Sequence, residues 1–298
     1  MNIKRYLKSF RLRTLPLSAS GIIMGSFLSM SYGIFDITIF IFALLTTNSL
    51  QILSDLANEY GDAQKGTDNN KRIGPKRGLQ AGEITKRELI NLIYIFIVLS
   101  IILGIILIFV SFNNLMNTSS IIMLTFGAAS IFAAMKYTVG KNAYGYKGLG
   151  DLFVLIFFGL LATMGSFFIM SSQIEMEVLL PALSIGLFSM GVLNMNNMRD
   201  IENDKICGKI TIPVKIGEKN GKIYQTLIIS IGILCTIIFS IIRNSNIWGY
   251  LFLITTPIFI VHLINVWKFH GREYDSQLKV VSIATFIFAI LVAIGQNI

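Results

Sequence analysis

Residues 89–112 read LINLIYIFIVLSIILGIILIFVSF, an apolar run without a single charged side chain. A helix rises 1.5 Å per residue, so about 20 such residues cross the roughly 30 Å hydrocarbon core of a bilayer. A helix also satisfies its own backbone hydrogen bonds in lipid, so the run is expected to be helical. Similar runs recur on both sides of it: 16–32, 35–52, 119–134, 152–171, 178–193, 224–242, 248–267 and 280–294. The expected fold class is therefore an all-α polytopic membrane protein with nine transmembrane helices. Composition agrees, with 54% hydrophobic and only 14% charged residues over 298 positions.

Lys and Arg are retained on the cytoplasmic side during insertion, and their placement sets the orientation. With a cytoplasmic N-terminus and nine spans, every one of the 25 basic residues except Arg243 falls inside. Of the acids, only Asp36, Glu175 and Glu177 fall outside. This consistency favours nine spans over eight or ten and places the chain in the cell membrane. It also accounts for the net charge of +9, so no nucleic-acid partner is expected. The basic start from Lys4 to Arg13 has no small-residue cleavage site before the next span, which argues against a cleaved signal peptide. Cys207 and Cys235 suggest no disulfide framework. His262 and His270 have no second His or Cys at ligand spacing, which argues against zinc.

No linker divides the chain, and residues 1–298 read as one domain. Two long loops, 54–88 and 194–223, both open with Asn and Asp and continue into a Gly/Lys-rich stretch. They mark a weak internal repeat of two four-helix halves plus a ninth helix.

The first cluster lies in QILSDLANEYGDAQKGTD (51–68), where Gln51, Asp55, Asn58 and Asp62 are spaced by four, three and four residues. That spacing puts them on one face of a helix continuing out of the second span. The second lies in NMNNMRDIENDKICGK (194–209), where Asn196, Asp200 and Asp204 recur every fourth residue. Carboxylates at membrane depth cost about 2.5–3.5 kcal/mol each and need a partner. Magnesium takes hard oxygen ligands and bridges one or two carboxylates to substrate phosphates. Two facing clusters suit two such ions with a diphosphate between them, helped by Arg72, Lys76, Arg77, Arg199 and Lys209. The plainer alternative, solvated loop acids paired with neighbouring Lys and Arg, fits one cluster better than two.

The two clusters resemble the signature of the UbiA superfamily of intramembrane aromatic prenyltransferases, an Asn/Asp-rich motif after helix two and another after helix six. The segments RLRTLPLSASGIIMG (11–25), 51–85, KYTVGKNAYGYKGLGDLFVLIFFG (136–159) and 194–217 narrow the resemblance to the branch using 1,4-dihydroxy-2-naphthoate. That resemblance implies nine helices around a central cavity open to lipid, with cytoplasmic cap loops after helices two and six. It implies prenyl transfer from a polyprenyl diphosphate to 1,4-dihydroxy-2-naphthoate, with loss of CO2 and diphosphate, in menaquinone biosynthesis. Two magnesium ions would be held by Asn58, Asp62 and Asp68 and by Asn196, Asp200 and Asp204; Asn58, Asp62, Asp200 and Asp204 would be catalytic. The chain departs from the pattern where Glu59 replaces a common Asp and where Asp68 follows Asp62 by six residues rather than four.

Aromatic faces stabilise an allylic cation, and Tyr60, Tyr137, Tyr144 and Tyr146 are candidates; taken singly, each reads better as an interfacial anchor. Lys136 and Asp151 join Tyr137, Tyr144 and Tyr146 as candidates facing the aromatic acceptor, although the stretch also reads as a tight basic turn and Asp151 as a helix-start carboxylate. Two other functions compete: a related transferase acting on 4-hydroxybenzoate or homogentisate, and a cation or metabolite transporter. The acids cluster at one membrane face rather than at the midplane, which disfavours the transporter.

Overall fold

A computed structural model describes residues 5–70 and 72–298; Lys4 and Lys71, counted above among the cytoplasmic basic residues, lie outside the described residues. Among the described residues the structure is helical, with no strand. The long helices are α1 (Leu15–Met30), α2 (Ile37–Gln64), α3 (Lys86–Phe112), α4 (Thr118–Lys136), α5 (Gly150–Ser171), α6 (Met176–Arg199), α7 (Ile212–Ile242), α8 (Ile247–Lys268) and α9 (Gly271–Gly295). Eight of them, α2 to α9, are long and apolar enough to cross a membrane. The first expected span, α1, has 16 residues, about 24 Å of helix. A short helix, Leu7–Phe10, and a 3-10 turn, Leu12–Thr14, lead into it.

Three helices run past the apolar stretches that mark them. Helix α2 continues beyond 52 to Gln64, α6 beyond 193 to Arg199, and α7 starts at Ile212 rather than near 224. Hydropathy marks what suits lipid, whereas backbone hydrogen bonding continues through polar residues of helical period. In α7 the extra turns are possible because Pro213 occupies the first turn, where a missing N–H costs nothing. Gly217, at φ 81°, then interrupts the helix. The starts of α2, α3 and α4 follow capping chemistry. Asp36 accepts from the Thr38 and Ile39 amides, Asn117 from the Ser120 amide, and Thr85 and Glu88 form a capping box.

Between helices in lipid there is little hydrophobic drive, so small residues and close packing hold the bundle. A Cβ on Gly25 would lie 2.0 Å from the Thr163 carbonyl oxygen, and one on Gly159 would lie 2.6 Å from Gly186 Cα. Gly159 sits within a π-helical stretch of α5, Leu155–Leu161. Phe188 of α6 stacks on Phe259 of α8 at 4.7 Å and meets the edge of Phe288 of α9 at 5.0 Å. Helices α3 and α4 instead leave Tyr94, Val98, Phe109 and Phe132 exposed, an outer face suited to lipid.

This packing leaves a chamber of about 730 Å³. Leu17, Ile108, Met123, Phe157 and Ile169 line its apolar length, and Gln51, Asp55, Asn58, Asp62 and Asn196 its polar end. Ile101, Ile105 and Phe126 line it and are also 41–46% exposed, so it opens onto the apolar outer surface beside α3 and α4.

Candidate functional site

The polar end of the chamber is built from the last turns of α2 and α6 and the loops that follow them. Because α2 continues unbroken, its stripe faces one way: Gln51, Asp55, Asn58 and Asp62 all line the chamber. The loop after α2 then folds back over this stripe. Arg77 donates through Nη1 to Asp62 Oδ2 at 2.9 Å, to Asp68 Oδ2 at 2.9 Å and to the Asn58 carbonyl at 3.1 Å. Glu59, on another face of α2, accepts from the Leu79 amide at 2.5 Å and pins the same loop.

The second cluster is organised by a residue of its own helix. Arg199 donates to Asn196 Oδ1 at 2.8 Å and to both carboxylate oxygens of Asp200, at 2.6 and 3.2 Å. Its remaining nitrogen, Nη1, pairs with Asp275 of α9 at 2.6 Å. Asp204 follows one turn later, in the short helix Ile201–Ile206, and lies 3.6 Å from Lys209.

The two clusters meet. Arg72 lies 3.3 Å from Asp68 and 4.0 Å from Asp200, and Asn203 donates to the Thr67 carbonyl at 2.9 Å. Asp62, Asp68, Asp200 and Asp204 thus stand among Arg72, Arg77, Arg199 and Lys209, and the local charges cancel. Among the described residues no three His, Cys, Asp or Glu side chains form a group able to hold a metal ion by themselves. Two buried carboxylate oxygens of the cluster, Asp68 Oδ1 and Asp204 Oδ2, accept no hydrogen bond, and each faces a cation instead, Arg72 Nε at 3.3 Å and Lys209 Nζ at 3.6 Å.

Burial and pairing divide the carboxylates outside the spans. Burial pushes Asp204 up to about 6 against the pull of Lys209, and it also raises Asp68 despite Arg77. Burial acts on Asp200 in the same sense, but the hydrogen bond and charge of Arg199 outweigh it and hold the group below the usual carboxylate range. Arg72 is pushed down to about 10 by burial and by neighbouring Arg77.

The candidate aromatic residues separate into three settings. Tyr137 and Tyr144 line the chamber, with Tyr144 stacked on Phe153 at 3.8 Å. Tyr146 donates its hydroxyl to Asp62 Oδ1 at 2.7 Å, under the Lys65 ammonium at 3.8 Å from the ring centroid. Tyr60 sits beneath Lys86 and accepts from Gln64, away from both clusters. Lys136 is exposed beside Phe132, and Asp151 is buried against the Tyr224 hydroxyl at 3.1 Å, outside the chamber lining. Lys76 is exposed and lines a neighbouring cleft of about 300 Å³ with Lys8, Arg11, Arg13, Arg72 and Arg77.

The structure adds one constellation to the expected residues. Asp55 accepts from the Thr14 hydroxyl and the Gln51 amide, each at 2.9 Å, and pairs with Arg11 at 2.9 Å; all four residues line the chamber. Asp55 carried a signal, lying seven residues before Asp62 on the same face. Arg11 carried none, because only the turn at φ 46° aims it back toward α2.

A relative from Escherichia coli (strain K12), 1,4-dihydroxy-2-naphthoate octaprenyltransferase, is 42% identical over 91% of this chain and 86% of its own length. A solved UbiA homolog from Aeropyrum pernix K1 superposes with a TM-score of 0.71 at 16% identity, covering 95% of this chain and 97% of that one. A UbiA homolog from Archaeoglobus fulgidus, solved bound to GPP and Mg2+, gives 0.62 at 14% identity over 97% and 99% of the two chains. The model of the UbiA prenyltransferase family matches residues 19–292, so this multi-pass helical chain belongs to the UbiA prenyltransferase family.

Proposed function

We propose that the protein transfers a polyprenyl group from a polyprenyl diphosphate to 1,4-dihydroxy-2-naphthoate, with loss of CO2 and diphosphate, giving the hydroquinone form of demethylmenaquinone. The observation that carries this reading is the junction of the two clusters at the polar end of an otherwise apolar chamber. Such a site suits a molecule with a doubly phosphorylated head and an isoprenoid tail. The acceptor is the one named in the Escherichia coli relative.

Magnesium fits the donor set. It keeps several waters and takes few protein carboxylates, so a closed cage of acids is not required. The buried oxygens of Asp68 and Asp204 that accept no hydrogen bond face Arg72 and Lys209, and a metal ion bound there would take the place of those cations. Asn58, Asp62 and Asp68 would hold one ion, and Asn196, Asp200 and Asp204 a second. Bound there, magnesium supplies positive charge opposite the departing diphosphate.

The chain's own residues divide the remaining work. Arg72, Arg77, Arg199 and Lys209, with Lys76 at the rim, neutralise diphosphate oxygens as the bond to the allylic carbon breaks and diphosphate leaves with its electron pair. Tyr137 and Tyr144 present ring faces to the resulting cation, worth about 0.5–2 kcal/mol each. Tyr146 fixes the carboxylate of Asp62. The acceptor ring forms the new carbon–carbon bond and expels its carboxylate as CO2, and Arg11 is better placed than Lys136 or Asp151 to meet that carboxylate on arrival.

In this reading α1 is the ninth span, residues 1–298 form a single domain of the plasma membrane, and the loops after α2 and α6 cap the site from the cytoplasm, where the N-terminus also lies. The test is a detergent-solubilised preparation given magnesium, a polyprenyl diphosphate and 1,4-dihydroxy-2-naphthoate, with product mass read out. A prenylated dihydroxynaphthalene, read as its naphthoquinone once air has oxidised it, and free diphosphate are expected. No turnover with this acceptor, alongside turnover with 4-hydroxybenzoate or homogentisate, would reassign the substrate; no turnover with any of them would remove the enzyme reading.

A further inference from the structure

A second polar system runs through the bundle behind the site. Asn194 (α6), Gln225 (α7), His262 (α8) and Gln277 (α9) are each 0–4% exposed, deep among apolar side chains. They form one chain of hydrogen bonds. Asn194 Nδ2 donates to the Gly221 carbonyl at 3.1 Å and to Gln225 Oε1 at 2.9 Å. Gln225 Nε2 lies 3.0 Å from His262 Nε2, and His262 Nδ1 lies 3.1 Å from Gln277 Oε1. Gln277 Nε2 donates to the Ser276 hydroxyl at 3.2 Å, which donates to the Glu273 carbonyl at 2.7 Å.

Every donor in this chain is determined. The Gly221 carbonyl accepts only, so it orients the Asn194 amide, which in turn orients the Gln225 amide. An amide N–H then faces His262 Nε2, so that nitrogen is the acceptor and the ring proton sits on Nδ1, facing Gln277. Gly191 makes room for this path, since a Cβ there would meet Gln225 Nε2 at 2.9 Å.

One end of the chain lies on α6 itself, and the other ends in the first turn of α9, beside the residue that anchors Arg199. Asn194 lies two residues before Asn196. Ser276 adjoins Asp275, whose carboxylate holds Arg199, the residue that grips Asn196 and Asp200. Polar groups this deep cost stability unless satisfied, and a well-packed apolar set would serve the bundle's stability as well. Of the polar atoms on these four side chains only Asn194 Oδ1 lacks a partner among the described residues, and a network so nearly satisfied specifies one arrangement of the helices that carry it.

We infer that His262 is a positioning residue for the second Asn/Asp cluster, acting through Asn194 on one side and through Gln277, Ser276 and Asp275 on the other. It fixes the rotation of the end of α6 so that Asn196 faces the chamber and Asp200 stays within reach of Arg199 and Arg72. The inference rests on the reading of that cluster as a cation and diphosphate site.

The test compares His262→Leu with His262→Gln in the purified full chain. Glutamine restores one acceptor and one donor; leucine restores neither. Outer-shell partners of metal ligands typically contribute about 10–100-fold in affinity. His262→Leu is therefore expected to weaken Mn2+ binding in the presence of inorganic diphosphate, read by electron paramagnetic resonance, by about tenfold. The magnesium needed for half-maximal transfer should rise in parallel, while His262→Gln stays within about threefold of wild type on both measures. A folded leucine variant with wild-type Mn2+ affinity and magnesium dependence overturns the inference. Should that variant not fold, Gln277→Met breaks the same chain nearer its end, and wild-type values in that protein overturn the inference equally. Wild-type protein lacking magnesium-dependent transfer would instead count against the functional reading, and the Mn2+ measurement separates the two failures.

Discussion

The two Asn/Asp clusters sit at equivalent helix ends but are held in opposite ways. Asp62 and Asp68 are gathered by Arg77, a residue of the following loop, with Tyr146 contributed by the segment between α4 and α5. Asn196 and Asp200 are gripped by Arg199 of the same helix, whose outer nitrogen is anchored on α9. The first cluster therefore depends on a loop closing, and the second on a bundle being in register.

The largest effects should fall on both sides alike. Asp62→Ala and Asp200→Ala are each expected to lower turnover by about 10²–10³-fold or more, the scale for removing one electrostatic contact to a leaving group, with membrane insertion unchanged in a protease-protection assay. Wild-type turnover by either variant at limiting magnesium would remove that cluster from the site.

Arg77→Ala should separate the two. It leaves Asp62 and Asp68 buried without their common partner, a change that typically costs about 3–5 kcal/mol. Activity should fall about 100-fold or more, and amide exchange in the loop 65–85 should rise while α6 to α9 keep their protection. Equal deprotection of α6 would show that the two clusters are not independent.

Asp275→Ala probes the other side and should act more mildly, raising the half-saturating magnesium concentration about tenfold through Arg199, with loop exchange unaffected. Tyr146→Phe removes one hydrogen bond to Asp62, worth about 1 kcal/mol, and should reduce kcat/KM about fivefold. Lys76→Ala, at an exposed rim position, should change kcat/KM by less than about threefold at moderate salt and less again at high salt.

Much of the fold was legible because lipid imposes a one-dimensional rule. A span needs a long apolar run, and eight of the nine expected runs lie in helices long and apolar enough to cross. The ends were less legible, since α2 and α7 extend through residues whose polarity hides them from hydropathy. In the site, the stripe from Gln51 to Asp62 was readable because helical period acts locally, and all four of its residues line the chamber. The partner of each acid was not readable. Arg11 reaches Asp55, Arg72 spans Asp68 and Asp200, and Tyr146 reaches Asp62 only after the chain has folded back on itself.

The sequence by itself determined the helical, membrane-spanning architecture, the two polar stripes and their basic surroundings. These follow from hydrophobicity and period, which depend only on neighbours along the chain. Tertiary structure alone decided which arginine neutralises which carboxylate and that, among the described residues, Lys136 and Lys76 form no ion pair with the acids. It also decided that a lone, buried histidine belongs to a chain of hydrogen bonds across four helices. Such pairings depend on distances between residues far apart in sequence, and only the packing of the bundle sets those.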